Sequence, residues 1–244
     1  MRESYYAGAY WGRRQESADE CARRAETFFR RLSESHPSYA RWYEKNNSVK
    51  KALQLQFDPT HEAFVRFFGK KKYQCGTDGF NFSAWTGHVE QDQGGALMFF
   101  CGAHAEASSN FVLLYFPVEE PGHERMLTEP VLAGVMRALA LAWEPDWGVI
   151  VSEDFRDALS QTGSAGTFMG WMTYFSRHWG EVPSLPEPVR VEALEDKGTL
   201  VILSPERLSA THPEHLELGR RVQRLLENQG LLRKVVERPP PPAS

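Results

Sequence analysis

Strand-length apolar runs crowd the middle of this chain, and that crowding limits its fold more than any other feature. Residues 79–87, 96–102 and 111–116 read as strands, separated by the turn-rich linkers 90–95 and 103–110. Linkers this short connect neighbouring strands most simply as an antiparallel meander. Helix-period segments flank these runs instead of alternating with them. The pattern predicts an α+β fold: one domain with a largely antiparallel or mixed β-sheet packed with amphipathic helices, not a doubly wound parallel sheet.

Ahead of the meander, Glu3 to Trp11 reads as a first strand. Ser17-Ala18-Asp19-Glu20 has the form of a capping box, because Ser17 and Glu20 can satisfy each other's free backbone donors. Behind it, Cys21, Ala25, Phe28, Phe29 and Leu32 repeat at helical spacing, while Arg23, Arg24, Arg30 and Arg31 fall elsewhere and read as the solvated side. His36-Pro37 ends that helix, and a second short one is expected over Thr60 to Phe68. After the meander, Met126 to Trp143 predicts a long apolar helix, with Pro130 and Gly134 as places for a kink or a restart. Trp147 to Val151 and Gly170 to Ser176 read as strands, with a helix over Glu153 to Gln161 between them. A hairpin follows over residues 189–203, turning at Glu195-Asp196-Lys197-Gly198, and then a helix over Pro213 to Gln229. The domain is placed at residues 1–232. A proline-rich tail, 233–244, is expected to be disordered.

Charge narrows the function. The 28 basic and 32 acidic side chains give a formal net charge of −4, without the basic excess from which nucleic-acid binders draw most of their affinity. A mildly acidic surface suits a basic protein partner, or serves solubility alone. Cys21, Cys75 and Cys101 are odd in number and widely spaced, which argues for a reducing compartment instead of a disulfide framework. The opening residues carry no apolar core of signal-peptide length. The longest apolar stretch, Val131 to Trp143, is too short to span a bilayer and includes Arg137. A cytoplasmic protein with no membrane partner is expected.

The search for chemistry returns little. Neither a phosphate-binding loop nor a nucleophile elbow is present. Cys101 and His104 have the spacing of half a zinc site, which Cys75 or His88 could complete; a structural site pairs two such close elements, and the sequence has no second one. His212 and His215, with His178, make a nominal cluster, but Pro213 fits the first turn of a helix entered there. Pro145-Asp146 followed by Glu195-Asp196-Lys197 imitates a metal-dependent nuclease. That chemistry needs two carboxylates on one Mg²⁺ beside a lysine, and a hairpin turn is poor support for it. No catalytic residue, metal or cofactor is expected, and the chain reads as a non-enzyme.

Several stretches resemble the immunity protein 52 family of bacterial polymorphic toxin systems. They are residues 2–12, Phe82-Ser83-Ala84-Trp85-Thr86-Gly87, Cys101-Gly102-Ala103, Trp143-Glu144-Pro145-Asp146-Trp147-Gly148, Gly170-Trp171-Met172-Thr173-Tyr174 and residues 198–206. The resemblance runs to about Leu232. It implies an α+β binder, encoded beside a toxin that often has a restriction-endonuclease-like fold, and it brings no catalytic residue. An inhibitor of a nuclease can cover the phosphate site with carboxylates and anchor itself with aromatic rings. Two patches offer such groups: Trp85, His88, Glu90 and Asp92 at a strand end, and Glu144, Asp146 and Trp147 with Glu153 and Asp154. The competing readings are that these tryptophans fill the core and the carboxylates cap or face water, or that the chain binds a small molecule or signalling protein.

Overall fold

A computed structural model of the chain describes residues 2–75, 79–88, 94–106, 108–160 and 167–235. Glu90, Asp92 and the proline-rich tail beyond Val235 lie outside the described residues. The first half runs β1 (Tyr5–Trp11), α1 (Ala18–Ser35), β2 (Trp42–Glu44), α2 (Val49–Ala52), β3 (Gln56–Phe57), α3 (His61–Phe68), β4 (Phe80–Trp85), β5 (Ala96–Cys101) and β6 (Asn110–Tyr115). The second half adds α4 (Gly122–Met126), α5 (Glu129–Trp143), β7 (Trp147–Ser152), α6 (Glu153–Leu159), β8 (Met172–Ser176), β9 (Arg190–Leu194), β10 (Gly198–Ile202) and α7 (Pro213–Asn228).

Among the described residues ten strands make one sheet, in the order β3-β2-β4-β5-β6-β1-β7-β8-β10-β9. The pairings are antiparallel, and the expected meander is β4-β5-β6. The N-terminal strand sits at the centre, with β6 on one side and β7 on the other. The fold is α+β, a single sheet with packed helices.

Strand alternation assigns the two faces. Ala7, Ala9, Phe82, Leu97, Phe99, Val112, Leu114 and Ile150 point to one face and are buried. Helices α1, α3 and α5 cover it: Trp143 of α5 lies 5.5 Å from Trp11 and 5.1 Å from Phe99, and Phe64 of α3 lies 5.5 Å from Phe82. The capping box forms as expected, with Ser17 Oγ accepting from Glu20 N and Ser17 N donating to the Glu20 carboxylate. The apolar stripe of α1 is buried.

Three local expectations change. The apolar helix begins at Glu129 and not at Met126: a separate α4 ends at Met126, and of the two outcomes expected of Pro130 the restart is found, with the proline in the first turn of α5, where a missing N–H costs nothing. Gly134 lies inside an unbroken α5 and serves packing instead, since a Cβ there would stand 2.8 Å from that of Ser35 on α1. Arg24 is not simply a solvated residue; it reaches across to the end of α5.

Candidate functional site

A long-range polar network sits where α5 ends. Glu144 caps that helix in the left-handed region, φ 47°, and its last turn carries no basic residue of its own. Cations arrive from elsewhere to meet its free carbonyls. Arg14 Nη2 donates to Trp143 O at 2.8 Å, and Arg24 Nη1 donates to Ala142 O at 3.0 Å. Arg24 also reaches the Glu144 carboxylate at 3.0 Å, and Lys197 from the distant hairpin reaches it at 2.6 Å. Glu16, its side chain 7% exposed, joins the two arginines: Arg24 Nε donates to it, and Arg14 Nε approaches at 3.1 Å without the alignment of a hydrogen bond. Burial by itself would raise the Glu144 pKa. Hydrogen bonds from Lys197 and Arg24 overturn that and hold the carboxyl below its ordinary range.

Two of the nuclease-like residues, Asp146 and Lys197, serve here as braces. Lys197 is ion-paired with Glu144, and Asp146 Oδ2 accepts from Gly12 N at 2.9 Å, tying the end of β1 to the start of β7. Among the described residues no three His, Cys, Asp or Glu side chains lie close enough to hold a metal ion. Cys101 is buried beside Cys21, and that burial pushes its thiol pKa well up.

The second nominated patch divides. β7 separates its parts, leaving Glu144 and Asp146 at one end of the strand and the exposed Glu153 and Asp154 at the other. Trp147 is 2% exposed, stacked at 5.4 Å on Tyr10 and packed at 5.2 Å against Phe168, so its ring belongs to the core. The register instead brings Trp85 to the same sheet end as Glu153: Trp85 pairs with Ala96, Ala96 with Tyr115, and Tyr5 with Ser152. His88 follows there and helps line a small cavity.

Sequence reasoning missed the surface on which Trp85 lies. On the sheet face away from α1, α3 and α5, residues of β7, β8 and β10 such as Val149, Val151, Phe175 and Val201 are buried, and α6 packs on α7 through Phe155 and Gly219. Over β4-β5-β6 the same face is open. Met98 is 37% and Tyr115 39% exposed, and Trp85, Phe100, Phe111 and Leu113 are half-buried around them. The signal was present as the second phase of the strand alternation, where apolar residues stand at positions that usually face water in polar form. Contiguous apolar surface of this kind marks interaction sites.

A family model described as immunity protein 52 matches residues 3–235. No protein of curated function matches the chain in sequence. Among solved structures, the Pseudomonas aeruginosa T6SS protein PA0821 is similar, with a TM-score of 0.51 at 10% identity over 91% of this chain and 72% of that one. At such identity the likeness is one of fold. No helix among the described residues is long and apolar enough to cross a membrane.

Proposed function

Because this chain belongs to the immunity protein 52 family, we propose that it binds and neutralises a cognate toxin encoded by a neighbouring gene, by covering the toxin's active site. The match of the family model to residues 3–235, nearly the whole chain, carries this reading. The toxin is a nuclease with a restriction-endonuclease fold, and inhibition is by occupancy, with no turnover by the inhibitor. A net charge of −4 supports that choice, since it opposes the basic surface on which a nuclease holds DNA.

The toxin docks over the open face of β4-β5-β6, with Met98, Tyr115 and Trp85 as apolar anchors. Aromatic residues with a polar rim suit a site that must be tight and specific. His88, Glu153 and Asp154 form the rim at the near sheet end. Glu144 and Asp146 face the far end and brace the fold.

Co-expression tests the proposal. Cells carrying the neighbouring toxin gene should survive when this chain is supplied, and should die when it is supplied against a divergent toxin. Failure to rescue, together with no association of the two purified proteins at micromolar concentration, would refute the reading. Rescue from a toxin that leaves DNA and RNA intact would refute the nuclease assignment alone.

A further inference from the structure

Helices cover the sheet face away from α1, α3 and α5 only in part, and the dimensions of the uncovered part limit what can fill it. Helix α6 reaches across this face as far as β1, where the Arg156 guanidinium lies 5.8 Å from the Tyr6 ring. Tyr6 in turn stands 6.2 Å from Tyr115 of β6, the first open strand. From there the outward side chains of β6, β5 and β4 are half-buried or exposed. At the far border the rings of Tyr43 on β2 and Trp85 on β4 stand 6.1 Å apart. The opening is thus three strands wide, about 10–14 Å at roughly 4.8 Å per strand. A helix with its side chains is about 10–12 Å across. Each of the three strands has 6 residues, which gives roughly 20 Å of length, or about 13 residues of helix.

Chemistry narrows the occupant further. Nine side chains point outward from these strands; none is charged, and only Asn81 and Ser83, both on β4, are polar. Met98 stands at the centre, between Ser83 and Leu113 across the strands and between Ala96 and Phe100 along β5. An uncharged floor offers no ion pair to a charged surface, and it complements an apolar stripe. A flexible methionine at its middle adapts to the side chains laid on it. A second copy of the chain fits poorly. The floor covers about 300 Å² on each partner, short of the roughly 800 Å² per partner of a stable interface, so the occupant must also reach the rim. We propose that this opening receives one amphipathic helix of the toxin, lying along β4-β5-β6 beside α6 and continuing the helical layer of that face. The inference rests on the toxin-binding reading and adds to it the element that is bound. Such a helix turns apolar residues at i, i+3, i+4 and i+7 toward Met98 and keeps its polar side toward Asn81, Ser83 and water.

Photo-cross-linking to the purified product of the neighbouring toxin gene tests this. A benzophenone amino acid replaces Ala96 in one sample of the full chain and Phe100 in another, and the labelled toxin residues are mapped by mass spectrometry. The two positions lie about 13 Å apart along β5, so the labels should fall about nine residues apart in a helix, against about four in an extended strand. Met98→Asp should weaken association about hundredfold, because it buries an unpaired charge, while Asn81→Asp at the polar margin should change it less than about threefold. Tyr115→Asp, at a residue 39% exposed, repeats the measurement if Met98→Asp fails to fold. Association without labelling from this face, labels about four residues apart, or labels scattered over separate segments would overturn the helix and leave toxin neutralisation standing. Cross-linked dimers of the chain by itself, lost in Met98→Asp, would assign the face to a second copy and overturn it as well. No association at micromolar concentration would remove the toxin-binding reading and this inference together.

Discussion

Glu144 occupies a backbone conformation, φ 47°, that glycine adopts freely and other residues adopt at a cost of about 1 kcal/mol. It tolerates that cost because its carboxylate meets Arg24 and Lys197. Glu144→Gln should therefore lower stability at neutral pH by about 1 kcal/mol, a modest figure because the pair is partly exposed. Glu144→Gly should lose less, as the strain is relieved together with the pair. The sign of the pH dependence follows from the depressed pKa. Stability from this group is complete above the unfolded carboxylate value and disappears as the pH falls through the lower folded one. Denaturant melts of wild type and Glu144→Gln at pH 7 and pH 3 should show a gap that closes in acid; a constant gap would mean the ion pairs contribute nothing.

At the scale of elements, α1 against α5 is the contact on which the covered face depends. Glycine in mid-helix is costly by propensity, yet Gly134 lets α1 approach until a Cβ would be 2.8 Å from Ser35 Cβ. Gly134→Ala should thus destabilise by about 1 kcal/mol net, overpacking outweighing the gain in helix propensity. Ser35→Gly in the same chain should recover part of the loss, and a double-mutant cycle by thermal melting measures that coupling. The capping box and buried stripe of α1 were readable from spacing because both are local. The work of Arg24 was not: its partner carbonyl, Ala142, lies on another helix 118 residues along the chain. The break before α5 had a local sign in Pro130, which by itself left a kink and a restart both open. At the sheet edge, β9 carries Arg190 and Glu192, which are paired to Glu129 and Arg137 of α5. Charges there discourage further strands from adding.

Across the whole molecule, the sheet is covered on one face and open over part of the other, so stability and binding should separate by mutation. Trp147→Ala removes a core ring and should cost about 3–5 kcal/mol, with any loss of toxin binding following the loss of fold. Met98→Ser with Tyr115→Ser should move stability little, roughly within 0.5 kcal/mol for each site, while weakening toxin association about tenfold or more. Paired melting curves and binding isotherms for the two variants check this. Equal binding by the Met98 and Tyr115 variant would place the toxin elsewhere on the surface.

The α+β class, the meander, the hairpin and the helix faces were determined by the sequence itself, because periodicity, caps and turns are properties of neighbouring residues. Only the tertiary structure put β1 at the centre of the sheet, joined Glu144 to Lys197, moved Trp147 inside and left Met98 and Tyr115 outside. Each of those outcomes turns on which strand pairs with which and on which face the helices fall. Such long-range choices are made by the burial of the whole chain, and no window of residues contains them.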